Sequence, residues 1–411
     1  MVGSLEVDPG RQSGKSSRGR RGHAAPPRTQ AARRDRASDP ASSRQHRRLR
    51  AACWAGSAAR RMPLREPAGG GFRPGRLAGI CAALLGLLLL VLLAGLSVGA
   101  APVRPWVLLS RASNGEEAAR ARDILLGLRL PRILLAAVVG AALSAAGVTF
   151  QAVLRNPLAD PYILGVSGGA ALGAILTAAF GAGDGTASAA GLIRSLFAFG
   201  GAAGTLLLLF ALARASGRIS NTSLLLTGAV VNAFFSALIL FIITVVDYTR
   251  FQSVFFWLVG TIEPSGYGPL AATAACVAGS LLGLVLLSGR LNLLSLGDDE
   301  ARSLGVEPDS IKKLAIIAAS LATASAVSMS GLIGFVGLMV PHATRAVLGS
   351  DHRSLLPAAA LGGAIFLVAA DTAARTLLAP VEMPVGIITA VCGGPFFLYL
   401  FQRRRAREMG G

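Results

Sequence analysis

The sequence predicts an all-α, polytopic membrane protein with about ten transmembrane helices, and three observations carry that expectation. Hydrophobic residues make up 53% of the 411 and charged residues only 15%, whereas a soluble domain carries about 25% charge. Mean hydropathy is +0.59, which excludes whole-chain disorder and a collagen-like repeat. Apolar runs of about twenty residues, enough to cross roughly 30 Å of hydrocarbon, recur along most of the chain. Backbone in lipid must satisfy its own hydrogen bonds, so these runs read as helices.

Residues 1–76 stand apart. They hold 18 Lys and Arg against 5 Asp and Glu, so +13 of the net +19 belongs to this stretch. It is rich in Arg, Ala, Ser, Gly and Pro without a sustained apolar period, and such a segment cannot bury enough surface to offset its ordering entropy. It reads as a disordered basic tail that favours anionic lipid, not as a nucleic-acid surface. Gly14-Lys15-Ser16 resembles the end of a phosphate loop, but Gly10 and Gly14 are one residue too close and no strand precedes them. Arg20-Arg21 lacks the apolar stretch that a twin-arginine signal needs. Met62 opens a short basic lead into the first apolar run and is an alternative start.

The runs lie near 77–100, 132–154, 162–180, 192–213, 222–246, 269–289, 311–329, 332–348, 355–378 and 384–402, so the membrane domain is expected over 77–405. The first is too long for a signal-peptide core. The eighth is short, and Pro341 with its surrounding glycines implies a helix packed in protein. With the N-terminus inside, Arg155, Arg214, Arg218, Arg290, Lys312, Lys313, Arg345, Arg353 and Arg403 to Arg405 fall on inner loops. The positive-inside rule then places both termini in the cytoplasm. Small-residue spacings at Gly95/Gly99, Gly169/Gly173, Gly200/Gly204 and Gly279/Gly283 predict close helix packing. Cys53, Cys81, Cys276 and Cys392 are scattered and read as small buried hydrophobes.

No catalytic constellation, metal-ligand spacing or cofactor motif emerges, and the chain does not read as an enzyme. Four polar, Gly- and Pro-punctuated segments are the candidates for function. Arg129-Leu130-Pro131-Arg132 reads as the outer start of the second helix, where cations oppose the helix dipole; either an acidic partner relieves this or the side chains snorkel. Arg155-Asn156-Pro157-Leu158-Ala159-Asp160-Pro161, followed by Leu164 to Gly169, is an irregular inner turn that lines a cavity or is simply tight. Leu296 to Val306 reads as a short capped helix, a docking element or a solvated linker. The stretch Gly331–Leu348 is followed by Asp371 and Arg375, four apart, as a structural pair or a pathway marker.

These segments together resemble the signature of the FecCD family of ABC-importer permeases. The run from Arg129 through Gly169, Arg302-Ser303-Leu304-Gly305, and the stretch from Gly331 to Phe397 carry the resemblance, which spans roughly 77–402. It implies a ten-helix permease of the cobalamin-importer type that forms a homodimer in lipid, with the translocation path at its interface. Two ATP-binding-cassette subunits are implied below, and a periplasmic or lipid-anchored substrate-binding protein outside. The substrates implied are iron–siderophore complexes, haem or cobalamin, with no cofactor or metal of the permease's own. By motif, Arg129, Arg132 and Arg375 receive the binding protein, and Asn156, Leu158, Thr222 and Ser223 form the inner gate. Asp298, Asp299, Glu300, Ala301, Arg302, Ser303, Leu304 and Gly305 form the ATPase-coupling helix. Where the cobalamin members carry Ser-Asn-Gly-Ala, this chain has Ser167-Gly168-Gly169-Ala170, so Gly168 carries no functional expectation. The competing reading, a membrane enzyme or a proton-coupled carrier working alone, needs buried carboxylates or histidines on several helices; Asp371 is the main candidate, and Arg375 is its expected partner.

Overall fold

The computed structural model describes residues 74–99, 103, 116–180, 187–215, 221–245, 255–264 and 266–409. The basic tail up to residue 73, Met62 within it, and Arg218 lie outside the described residues. Among those described, the chain is helical without strands. The helices are α1 (Pro74–Ser97), α2 (Glu116–Arg122), α3 (Leu130–Leu154), α4 (Val166–Ala179), α5 (Ala187–Ala215) and α6 (Asn221–Val245). They continue with α7 (Tyr267–Leu296), α8 (Asp298–Ser303), α9 (Pro308–Ser330), α10 (Val336–Leu348), α11 (His352–Thr376) and α12 (Val385–Met409).

Each of the ten apolar runs falls on one of these helices. Seven helical spans are long and apolar enough to cross a membrane, and two further apolar helices, Val166–Thr177 and Val385–Leu400, are shorter. α4 starts four residues later than its apolar run, because Pro157, Pro161 and the positive φ of Gly165 hold the preceding stretch in turns. α10 has 13 residues and a buried Pro341. Its start is delayed by Gly331 and Phe335, both at positive φ.

One expectation is corrected. Arg129 and Arg132 do not open a helix. Helical backbone begins at Glu116 and continues through a π-helical stretch, Asp123–Arg129, into α3. Pro131 has no N–H to give to the ladder, and the chain widens just before it, with the Leu130 N–H bonding Leu125 O. The arginines therefore sit within a continuous helix, and the predicted conflict with a helix dipole does not arise.

The helix α3 is the central post, buried along most of its length, with α11, α9, α7 and α10 packed around it. The α3–α11 crossing is backbone to backbone: a Cβ on Gly140 would overlap the Gly363 carbonyl, and one on Gly363 the Gly140 carbonyl. Gly147 meets the Gly337 carbonyl in the same way, and the Gln151 amide donates to Gly337 O at 3.3 Å, fixing α10 to α3. Two of the four predicted glycine pairs do pack inside the chain. Gly95 meets Thr372 and Gly99 meets Arg129, while Gly169 and Gly173 meet α5 at Gly201 and Phe197. The other two pairs, Gly200/Gly204 and Gly279/Gly283, have open space where a Cβ would stand. Their spacing is right, but they lie on helix faces turned away from the rest of the chain. Cys53 lies outside the described residues; of the described cysteines, Cys81 and Cys276 are half-buried and Cys392 is exposed, all as free thiols, and the expectation of burial fails for Cys392.

The α3–α11 contact gives a direct test. Gly363→Leu is expected to lower the thermal midpoint of the detergent-solubilised protein by several degrees, because overpacking costs about 1–3 kcal/mol and here the obstacle is backbone. Gly200→Leu should leave the midpoint unchanged. Equal midpoints for the two variants would mean that the crossing separates without cost.

Candidate functional site

Polar side chains gather at both ends of the bundle. At the end formed by the α1 C-terminus, the start of α3 and the α11 C-terminus, Asp371 is fully buried and holds two guanidiniums. Arg132 Nε donates to its Oδ1 at 3.2 Å and Arg375 Nε to its Oδ2 at 3.1 Å. Arg132 Nη1 also reaches Glu382 Oε2 at 2.7 Å, on the loop after α11. Arg375 turns its other nitrogen to Gly95 O (3.4 Å) and Thr372 Oγ1 (3.3 Å), which ties α11 to α1. Arg129 is buried and donates to Leu96 O at 3.0 Å. Arg129, Arg132, Arg375 and Glu382 line a cavity of about 370 Å³, with Ile124 and Leu128 on its apolar side, and Asp371 lies behind the arginines. Among the described residues three guanidiniums meet two carboxylates in this cluster, an excess of one positive charge in a low-dielectric wall, where a charge acts over a longer range than in water.

At the opposite end lie the α3 C-terminus and α8, joined through Arg155, and the α3–α4 turn against which α6 packs. Arg155 caps α3 in the left-handed conformation (φ 49°), and the turn that follows is closed by its own side chains. Asn156 Oδ1 accepts from the Leu158 N–H (2.9 Å), and Asp160 Oδ1 accepts from the Tyr162 N–H (2.9 Å). Leu158 is exposed. Gly228 on α6 meets the Ile163 carbonyl, and Leu164 and Leu224 share one apolar cluster. This brings the first turns of α6, with exposed Thr222 and half-buried Ser223, beside the same turn.

The residues expected to form a coupling helix make a small rooted unit. Asp298 is bonded by Arg155 Nη2 and by Lys312 Nζ, the latter at 2.7 Å with the lysine itself buried. Arg155 Nε adds a bond to Leu294 O at 3.2 Å. Ala301 is buried beneath α8, and Gly305 (φ 80°) ends it, its N–H bonding Arg302 O. The outer side shows Asp299, Glu300, Ser303 and Leu304, with Leu304 56% exposed. Arg302 bridges Asp299 at 3.3 Å and lies 3.9 Å from Glu307. Burial alone would raise the Asp298 carboxyl, but the Lys312 hydrogen bond and the charges of Lys312, Arg155 and Arg302 outweigh it and hold it below the usual carboxylate range. A lowered pKa contributes stability above the unfolded value, near 4, and loses it as pH falls through the folded value. The α8 root is therefore constant between pH 5 and 8.

Asp160 is the opposite case. Burial pushes it up to about 6, against the lowering effect of the Tyr162 N–H bond. Its folded pKa lies above the unfolded one, so the charge opposes folding at neutral pH, and stability rises as pH falls from above 6 towards 4. Asp160→Asn keeps the acceptor oxygen and drops the charge. It is expected to stabilise the detergent-solubilised protein at pH 7.5 and to flatten the rise in thermal midpoint between pH 7.5 and 5. An unchanged pH slope would show that Asp160 is not its source.

The structure thus brings Arg129, Arg132 and Arg375 around one cavity, and sets Asn156 and Leu158 on the turn that α6, with Thr222 and Ser223 in its first turn, packs against, while Asp298 is bonded to Arg155 at the start of that turn. The expected Asp371–Arg375 pair is present, with Arg132 as a third member. Sequence reasoning missed Glu382 and the rooting of α8 by Lys312 and Arg155, both of which counted only as inner-loop charge. It also missed Tyr162, whose hydroxyl donates to Ile333 O (2.6 Å) and accepts from Ile333 N–H (3.0 Å), pinning the irregular segment before α10. Among the described residues no group of His, Cys, Asp and Glu side chains is placed to hold a metal ion.

A central helix sheathed by apolar helices, with charged clusters towards the two ends, defines a polytopic membrane protein in class. The chain belongs to the FecCD transport family, whose model matches residues 87–403. It is 43% identical over 283 residues to the cobalamin import system permease protein BtuC of Halobacterium salinarum, covering 69% of this chain and 74% of that one. It is 40% identical over 289 residues to the hemin transport system permease protein HmuU of Yersinia pestis, covering 70% and 85%. A solved inward-facing structure described as a metal-chelate type ABC transporter matches with a TM-score of 0.67 and 33% identity, over 79% of this chain and 99% of that one.

Proposed function

We propose that this chain is the transmembrane subunit of a binding-protein-dependent ABC importer for an iron–siderophore, haem or cobalamin-type chelate. Two copies enclose the path in the cell membrane with their termini in the cytoplasm, and two separate ATPase subunits drive it. The observation that carries this reading is the family match across 87–403 joined to α8, a short helix rooted in the bundle with an acidic and apolar outer side for a partner to grip. Swinging a 1:99 equilibrium to 99:1 takes about 5.5 kcal/mol of differential stabilisation. ATP bound and hydrolysed on partner subunits is its source, delivered through α8. Asn156, Leu158, Thr222 and Ser223 are the inner constriction, where small polar and medium apolar side chains let a bulky chelate pass without gripping it.

The test is coexpression with the cognate ATPase and binding protein, followed by uptake of haemin, cyanocobalamin and a ferric siderophore into proteoliposomes. ATP-dependent uptake of one of the three by a complex with two permeases and two ATPases is expected. Uptake without the ATPase would favour the autonomous carrier.

The arginine cavity is the docking site for the binding protein. Its net positive charge suits an incoming carboxylate, and bidentate Arg–carboxylate bonds are strong and directional. Arg132, 15% exposed along its side chain and at the rim with Glu382, meets that carboxylate first. Arg132→Gln is expected to weaken association of the binding protein about tenfold, roughly 1.4 kcal/mol, and to reduce its salt sensitivity in nanodiscs. Unchanged affinity across a salt series would remove Arg132 from the docking surface.

A further inference from the structure

The residue that shapes the proposed gate and the residue that roots the proposed coupling helix are bonded to each other. Arg155 is the last residue before Asn156. It is held in the left-handed region, where the helix ends and the turn begins. Its guanidinium grips the α7–α8 corner twice, at Asp298 on the side chain and at Leu294 on the backbone carbonyl. Asp298 cannot swing freely to follow it, because its second oxygen is held by Lys312, a buried lysine on α9. The α3–α4 turn, the first residue of α8 and the start of α9 are thus joined through one carboxylate. Among the described residues no other side-chain bond runs between this turn and α8.

From this geometry we infer that Arg155 is the positioning residue that transmits movement of α8 to the inner gate. A guanidinium suits the task. Its planar fork bonds the carboxylate and the carbonyl together, so a displacement of the α7–α8 corner drags the backbone of residues 155–158 rather than rotating a single bond. A lysine would hold the charge but would grip at one point. The inference rests on the reading of α8 as the ATPase-docking helix and of the Asn156–Leu158 turn as gate. It adds that the two are coupled within one subunit by a named contact 143 residues apart in sequence.

The test uses the full permease–ATPase complex in nanodiscs, with the native cysteines replaced and Leu158→Cys as reporter, since Leu158 is 52% exposed in the turn itself. Its labelling by a membrane-impermeant maleimide is compared in the nucleotide-free and vanadate-trapped states. Arg155→Asn removes the guanidinium yet keeps the left-handed turn, which Asn tolerates. Arg155→Lys keeps the charge. With Arg155 intact, labelling is expected to change at least fivefold between the two states. In Arg155→Asn the change should fall below twofold while the ATPase still copurifies and hydrolyses ATP, and Arg155→Lys should lie between. If Arg155→Asn keeps the full nucleotide response, the link is overturned. If the ATPase no longer copurifies with Arg155→Asn, Arg155 serves docking and the link is likewise overturned. If labelling does not respond to nucleotide even with Arg155 intact, the gate reading itself fails and takes the link with it.

Discussion

Leu304→Asp is expected to abolish copurification of the ATPase subunit while leaving the permease inserted and folded. Leu304 closes α8, its N–H bonded to Glu300 O and Ala301 O at 3.2 Å, and its side chain is 56% exposed. An exposed leucine at the tip of a rooted helix has little to lose on its own subunit, and surface substitutions of this kind usually stay within about 0.5 kcal/mol. In a docked complex the same position is desolvated. A carboxylate buried there without a partner costs several kcal/mol, and each 1.4 kcal/mol is tenfold in affinity, so association should weaken by about three orders of magnitude. Three acidic residues already open α8, and a fourth charge adds repulsion if the partner's groove is acidic nearby. Leu304→Ala separates apolar contact from charge: it removes the side chain without the desolvation cost and should weaken binding by about tenfold. The readout is the ATPase-to-permease ratio after affinity purification, with size-exclusion profiles as the folding control. If Leu304→Asp retains a full complement of ATPase, the docking surface lies elsewhere on this end of the bundle.

Much of this architecture is legible in the sequence because lipid leaves few choices. An apolar run must be helical, and so each of the ten runs lies on a helix. The short α10 was visible through Pro341 and its glycines. What periodicity does not show is where a polar helix joins an apolar one. Glu116–Arg122 carries four charged residues in seven, and the π-helical stretch breaks the 3.6-residue period, so the Arg129–Arg132 run looked like a helix start. The Asp371–Arg375 pair was legible because four residues is one helical turn. Arg132, 239 residues from Asp371, and Lys312, held to Asp298 across the α8–α9 corner, were invisible as partners because only the tertiary fold brings them close. The glycines divide for the same reason: spacing says that two glycines share a face, but not whether that face meets another helix, as Gly169 and Gly173 do, or stays open, as Gly279 and Gly283 do.

Asp371→Ala is expected to be the most destabilising single substitution in the charged cluster, by about 3–5 kcal/mol. That is the cost of breaking a buried ion pair by removing one partner, because the remaining charge stays buried and uncompensated. Here two guanidiniums lose a partner at once. Arg375 is buried, 4% exposed along its side chain, while Arg132 is 15% exposed at the rim. Arg132 keeps Glu382, but Arg375 is left with the Gly95 carbonyl and the Thr372 hydroxyl, neither of them charged. The expected result is a sharp loss of membrane-inserted protein and a thermal midpoint in detergent far below that of the unmodified chain. Asp371→Asn, which keeps one acceptor oxygen, should fall between the two. Glu382→Gln should stay within about 1 kcal/mol, since Glu382 is 49% exposed and exposed pairs contribute little. A triple variant tests the cause. Replacing a whole buried ionic cluster with apolar residues of similar volume is often neutral, so Asp371→Leu with Arg132→Met and Arg375→Met should recover most of the midpoint that Asp371→Ala loses, even though it removes three charges instead of one. If the triple variant is no more stable than Asp371→Ala, the cost comes from lost shape at the α3–α11 crossing, and the stranded arginines are not its cause.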